Sequence, residues 1–340
     1  FEELIRKYLL DNAHGSILSL VPERGLAAKR DQELEKRLEN YRSSLSDEEL
    51  IRMVERTKAL EAYQESEENP EALTCIPMLS REDIKKEITG FTNEEHFVDD
   101  SLFLYHDVCT NGIGYADLLF EIHNLDTDAV HYLGLLKSVL GAVDTENYSY
   151  GELFNEVNAR TGGIAYGIEV YDSATDTDAF RAMFAVRGKA LYPEMDFMFS
   201  MIREVLTTSR LDDTKRLYEI IARVKSRAQA NLVSAGHSTA VLRGASYASP
   251  MAAFQDEMAG IGYYQFIEKL EKNFDSCKEE IVKNLRKVME EVLRPENFSV
   301  SYTGERESLD AVKVQVGEIK KVLFNGQKPE TSSQPSCTKK

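Results

Sequence analysis

Ile164-Ala-Tyr-Gly-Ile-Glu-Val170, then Asp172-Ser-Ala-Thr-Asp-Thr-Asp178, then Phe180-Arg-Ala-Met-Phe-Ala-Val186 is the stretch that decides the fold. Every second residue of its flanks is apolar, Ile164, Tyr166, Ile168 and Val170 against Phe180, Ala182, Phe184 and Val186. That period of two belongs to strands with one buried face. The polar connection between them is too short for a parallel crossover, so the pair is an antiparallel hairpin. The same alternation recurs at Ala116, Leu118, Phe120 and Ile122 and again at Phe298, Val300 and Tyr302, and Ser101 to Val108 also reads as a strand. Together these strands predict one sheet.

The segments between the strands have helical spacing: Asp128 to Val143, Ser149 to Arg160, Pro193 to Thr207, Asp212 to Val233 and Asp275 to Leu293. Each carries an apolar stripe, such as Ile281, Val282, Leu285, Val288 and Val292 in the last. Hairpins mixed with paired helices predict an α+β domain over 88–310, a mostly antiparallel sheet with helices packed on one face.

Upstream, the period is helical. Leu34, Leu38, Tyr41 and Leu45, then Leu50, Met53, Val54 and Leu60, trace two amphipathic helices between Glu23 and Glu68. Ser46-Asp-Glu-Glu49 has the S-x-x-E form of a capping box and starts the second of them. So short a connection predicts an antiparallel helical hairpin, forming a linker over 23–87. Phe1 to Leu10 reads as the last turns of a helix and Ser16 to Val21 as a short strand closed by Pro22, so 1–22 reads as the end of a preceding domain. Residues 311–340 read as a connector and polar tail, and both chain ends read as cuts.

The 340 residues carry 58 acidic against 41 basic side chains, a formal charge of −17, which disfavours nucleic-acid phosphates and anionic membranes. No run approaches the ~18–20 apolar residues of a membrane span, and no secretory leader is visible, so an aqueous compartment is expected. Cys75, Cys109, Cys277 and Cys337 lack C-x-x-C spacing and suggest neither a zinc knuckle nor a disulfide framework.

Catalytic constellations are nearly missing. The histidines are His14, His96, His106, His123, His131 and His237, and no two stand four apart, so neither H-E-x-x-H nor H-x-x-E-H can form. Thr92-Asn-Glu-Glu-His96 has the Glu and His of the inverse motif but threonine in place of its first histidine. One imidazole and a carboxylate do not close a tetrahedral zinc site. His106 lies near Cys109 in sequence, yet neighbours on a strand point to opposite faces, and His123 reads as a strand-end residue. Asn111-Gly-Ile-Gly114 reads as a turn between strands with no helix to receive a phosphate, and Thr161-Gly-Gly-Ile164 as a helix stop. Tyr263-Tyr-Gln-Phe266 and Met195-Asp-Phe-Met-Phe199 read as core or interface packing.

Several strings nonetheless carry a resemblance. Tyr8-Leu-Leu-Asp-Asn12, Leu18-Ser-Leu-Val-Pro22, Gly25-Leu-Ala27, Leu45-Ser-Asp-Glu-Glu49, Glu55-Arg-Thr-Lys-Ala-Leu60 and Cys75-Ile-Pro-Met-Leu-Ser80 resemble the end of the second domain and the linker of the presequence-protease branch of the pitrilysin/insulinase zinc metallopeptidases. Asn111-Gly-Ile-Gly-Tyr115, Thr161-Gly-Gly-Ile164 and Asn297-Phe-Ser-Val-Ser-Tyr-Thr-Gly304 resemble the third, non-catalytic domain of such enzymes. The resemblance runs from Phe1 to about Phe324. It implies a parent that encloses unfolded peptides in a chamber and uses zinc-activated water with a Glu base, the zinc being bound by a domain this chain does not hold. The third domain's counterpart of the zinc helix should be Asp128 to Val143, with the two ligand positions on Leu133 and Lys137 and the base on Leu136. None of the three has the chemistry.

The resemblance therefore implies a chain with no catalytic residue, no metal ligand and no cofactor of its own, its substrate-binding residues unknown. It implies part of a chamber wall plus the hinge between two halves. Its partners would be the amino-terminal catalytic half, the carboxy-terminal domain and unstructured peptides, in bacterial cytoplasm or an organelle matrix. An alternative is a stand-alone, catalytically dead binding or scaffold protein of the same fold. A third reading is an unrelated hydrolase using His106 and Cys109.

Overall fold

Alternation along the chain becomes a six-stranded sheet in the computed structural model, which describes residues 1–67, 69–87, 90–123, 125–176 and 178–326. The strands are β1 (Glu94–Val98), β2 (Ser101–Asp107), β3 (Ile113–Glu121), β4 (Ile164–Asp172), β5 (Phe180–Leu191) and β6 (Phe298–Gly304), in the order β1-β2-β6-β3-β5-β4. The deciding hairpin is antiparallel, with Ile168 opposite Phe184 and Val170 opposite Ala182. All other pairings are antiparallel except β2 with β6. That strand arrives after a long helical excursion and inserts between β2 and β3, so the turn at Asn111-Gly112 joins strands that are not neighbours. Asn111 and Gly112 both take left-handed conformations there, at φ 54° and 80°.

One face of the sheet is dry. Phe103, Tyr105, Leu118, Phe120, Phe184, Val186, Val300 and Tyr302 lie on it, fully buried against the helices. The opposite face carries charge in register: Asp117 stands across from Arg187, whose guanidinium also reaches Glu169 at 2.9 Å. A hydrophobic face and a solvated face on one antiparallel sheet are the expected division of an α+β layer. The helical layer comprises α5 (Thr127–Val139), α6 (Tyr150–Arg160), α7 (Met195–Thr208), α8 (Thr214–Ser234), α9 (Gly236–Ala245), α10 (Pro250–Ala259), α11 (Ile261–Lys272), α12 (Phe274–Val292) and α13 (Leu309–Val322).

The chain divides into two compact units, Phe1–Ile88 and Thr89–Lys340. The first holds α1 (Glu2–Ile5), which runs on as a π-helical turn over Arg6–Leu10, then α2 (Leu26–Ser44), α3 (Asp47–Glu65) and α4 (Pro70–Leu73). The capping box forms: Ser46 N–H donates to the Glu49 carboxylate at 2.9 Å and Glu49 N–H donates back to Ser46 Oγ at 3.3 Å. No residue of α1 to α4 is buried.

The structure corrects four expectations. Ser16 to Val21 forms no strand; it is exposed coil, because no described segment offers it a ladder partner. β1 is a strand outside the expected set, because its half-buried alternate positions are Glu94, His96 and Val98, two of them polar. The helix expected to reach Val143 stops at Val139, where Leu140 turns extended and Gly141 takes φ 73°. A Cβ on Gly141 would also stand 2.8 Å from the Tyr166 ring. The boundary expected at residue 310 falls inside α13, whose Leu309, Val312, Val316 and Ile319 belong to the same core. The expected polar tail from Pro329 to Lys340, with Cys337, and the boundary residues Glu68 and Ile88 lie outside the described residues.

Candidate functional site

The helix that should correspond to a zinc helix is α5. Asp126 caps it, accepting from Ala129 N–H at 2.8 Å. Its apolar stripe is so broad that Leu133 and Leu136 are fully buried, packed in the core among α12, α10 and α8. The two sites aligned with a ligand and a general base thus hold hydrocarbon in a dry interior. Neither can offer a lone pair.

Lys137, the third aligned position, is different. It sits in the last turn of α5, where α8, α9, α10 and α11 leave a cavity of about 640 Å³. Burial lowers its ammonium below the ordinary lysine value, and no opposing charge offsets that. One turn earlier, Gly134 lets the ring of Tyr263 lie against α5, since a Cβ there would stand 2.8 Å from both Cε2 of that ring and the Met258 carbonyl. Tyr263 also lines the cavity. Its hydroxyl is buried without a hydrogen-bond partner among the described residues, and burial raises its pKa.

Across the cavity, α8 contributes Arg223 and Arg227 at its rim, both exposed and neither in an ion pair with a described carboxylate. Two other cations of α8 are paired, Arg216 with Glu219 at 2.9 Å and Lys225 with Glu271 at 3.3 Å. Ser138 and Thr239 add hydroxyls to the wall. Nearby Asp256 is fully buried and already engaged, pairing with Arg243 at 2.8 Å and accepting from Ile261 N–H at 3.1 Å.

The remaining candidates from the sequence are held by structural contacts. His96 approaches Glu94 and Lys313, each at 3.3 Å. His106 is fixed between the Thr92 carbonyl at 2.9 Å and Ser301 Oγ at 3.2 Å, while Cys109 is exposed and approaches Asn111 Oδ1 at 4.0 Å, so the structure does not join the two as nucleophile and base. His123 lies 3.8 Å from Glu121. His131, which no motif singled out, pairs with Glu257 at 2.6 Å and stacks on Phe266. Among the described residues no three His, Cys, Asp or Glu side chains are grouped so as to hold a metal ion.

The glycine strings prove architectural. Glu305, next after the Asn297 to Gly304 string, folds its carboxylate over the Asn111-Gly112 turn. It accepts from Thr110 N–H at 3.0 Å, Asn111 N–H at 3.1 Å, Gly112 N–H at 3.3 Å and the Tyr192 hydroxyl. These donors, the tyrosine first, hold its pKa down to about 2. Sequence reading missed this clamp and the cavity alike. The one available signal for the cavity was Arg223 and Arg227 four apart on a helix, a like-charged pair that disfavours the isolated helix.

Comparison with known proteins agrees with the strings. The sequence profile of the associated-domain family of the M16 peptidases, subfamily C, matches residues 20–270. "Protein HypA" of Clostridium perfringens is 33% identical over 93% of this chain, and "Presequence protease 1, chloroplastic/mitochondrial" of Arabidopsis thaliana is 26% identical over 95% of it. The chain spans about a third of the length of these relatives, 32% and 30%. A solved protease from Helicobacter pylori shares the fold, with a TM-score of 0.50 at 12% identity over 74% of this chain and 54% of its own. No helix among the described residues is long and apolar enough to cross a membrane. With most of its length matched by that profile and presequence proteases among its curated relatives, the chain belongs to this peptidase-associated family, in the presequence-protease-like branch of the M16 peptidases.

Proposed function

We propose that the chain is a non-catalytic part of a zinc metalloendopeptidase that degrades unstructured peptides, supplying part of a chamber wall and the hinge between two halves. The observation that carries this reading is α5. Where the resemblance aligns two zinc ligands and a general base, this helix has Leu133, Lys137 and Leu136, the leucines fully buried. These residues do not fit a zinc ion. Leucine has no donor atom, and a lysine ammonium repels a dication.

The zinc would then be held by the amino-terminal catalytic half, with a carboxy-terminal domain completing the chamber. That the relatives are about three times as long as this chain is consistent with such a division. Residues 1–22 would close the preceding domain and Glu23 to Glu68 would form a helical hairpin acting as the hinge. The compartment would be bacterial cytoplasm or an organelle matrix.

The test is reconstitution. Isolated, the chain should not cleave unstructured cationic peptides; joined in one polypeptide to the missing amino-terminal half and carboxy-terminal domain, it should do so in a manner that a chelator abolishes. Chelator-insensitive cleavage by the isolated chain would sink the reading.

A further inference from the structure

We propose that the cavity between the end of α5 and helices α8 and α11 is a binding site for an oxyanion, a carboxylate or a phosphate group, with Lys137 as its charged floor. Three cations border this one cavity, Lys137, Arg223 and Arg227, and no described carboxylate pairs with any. A buried ammonium without a counter-ion is disfavoured by its lost hydration, and a bound anion offsets that cost.

A second, independent observation points the same way. The Tyr263 hydroxyl is buried and has no hydrogen-bond partner among the described residues, although Tyr263 borders the same cavity. A buried donor left unsatisfied has lost its bond to water without replacement, which is unfavourable. An oxyanion in reach of it would accept that bond, together with one from Ser138 on the wall. The packing shows construction, because Gly134 leaves the room that brings the Tyr263 ring against the helix carrying Lys137. Burial of the lysine adds to the geometry: its charge is disfavoured when the cavity is empty of anions and would be restored by one. At about 640 Å³ the space suits a small ligand or the terminal residues of a peptide.

This site stands whether or not the chain is part of a peptidase chamber. Its test is calorimetric titration of the full 340-residue chain at pH 7 and low salt with three probes: inorganic phosphate, acetyl-tetra-alanine with a free carboxylate, and the same peptide as its amide. The expected result is saturable one-to-one binding of phosphate, of the free acid or of both, with the amide silent. Phosphate alone assigns the site to phosphorylated ligands, and the free acid alone to peptide carboxyl ends. Lys137→Met should weaken binding at least tenfold, and Tyr263→Phe, which removes one oxygen, about threefold or more, both with unchanged circular dichroism. Arg223→Gln with Arg227→Gln, on an exposed helix face and therefore safe for folding, should weaken it several-fold and flatten its salt dependence. No saturable binding of either anion overturns the proposal, as does equal binding of the amide or binding that Lys137→Met leaves intact.

Discussion

Helices α2 and α5 are both built on helical spacing, yet they end in opposite circumstances. The stripe of α2, Leu34, Leu38 and Tyr41, remains about half exposed, whereas eight residues of α5 are buried and Leu133 and Leu136 are sealed. Periodicity fixes where a helix forms. It does not say what covers the stripe. For α5 the cover is the neighbouring helices and the sheet, supplied by the same unit; for α2 nothing described in its own unit, Phe1–Ile88, buries it. The difference also explains why one helix is a poor place for chemistry and a good place for packing, with Lys137 and Ser138 escaping the core at its end.

The sharpest break of this comparison is a truncation in each helix. Leu136→Ala removes a fully buried side chain from α5 and should cost about 2–5 kcal/mol in urea unfolding of the Thr89–Lys340 unit, through lost burial and a residual cavity. A loss below about 1 kcal/mol would mean that α5 is not the core helix described here.

Next in size is the clamp that ties the ends of the sheet. Glu305 has a folded-state pKa of about 2 against an ordinary 4.5, so its contribution is present above pH 4.5 and is lost as pH falls toward 2. Glu305→Gln should lower the melting temperature at pH 7, less than Leu136→Ala does, and remove part of the acid-side loss between pH 4.5 and 2. Parallel pH profiles for wild type and variant would show that the Thr110 to Gly112 amides do not depend on the carboxylate.

How much of this was legible beforehand follows from which signals are local. The period-two runs mark β3 to β6, and the short polar connection marks the β4 and β5 hairpin. The capping box at Ser46 was readable because both of its partners lie within four residues. Glu305 was not, because its backbone partners lie more than 190 positions earlier in the chain. The parallel pairing of β2 with β6 was hidden for the same reason. The cavity draws Lys137, Arg223 and Tyr263 from three helices, and each looks ordinary in its own segment: a lysine near a helix end, an arginine on an exposed face, a tyrosine among aromatics.

A gain is expected from Lys137→Met. Burial holds the folded-state pKa of Lys137 below 10.5, so the charged form opposes folding at neutral pH and that penalty fades as pH rises through the lowered pKa toward 10.5. Methionine carries no charge to desolvate. The variant should be more stable by about 0.5–1 kcal/mol at pH 7, and the advantage should shrink on approaching pH 10. A destabilised variant would mean that the ammonium has a partner in the folded chain.

The smallest effect is also the one that bears most directly on α2. Leu38 is 55% exposed, so Leu38→Gln removes little burial, and glutamine is nearly as good a helix former as leucine. Surface changes of this kind stay within about 0.5 kcal/mol, and that is the change expected in chemical unfolding of this chain. The exposed stripe should matter elsewhere. Leu34, Leu38 and Tyr41 lie at successive turns of one helix, and an apolar strip of that kind is sticky in water. Leu38→Gln should therefore raise solubility and reduce any self-association seen by analytical ultracentrifugation, while leaving the unfolding curve where it was. A cost above about 1 kcal/mol would reverse the comparison with α5, since it would require the stripe of α2 to be covered within this chain after all.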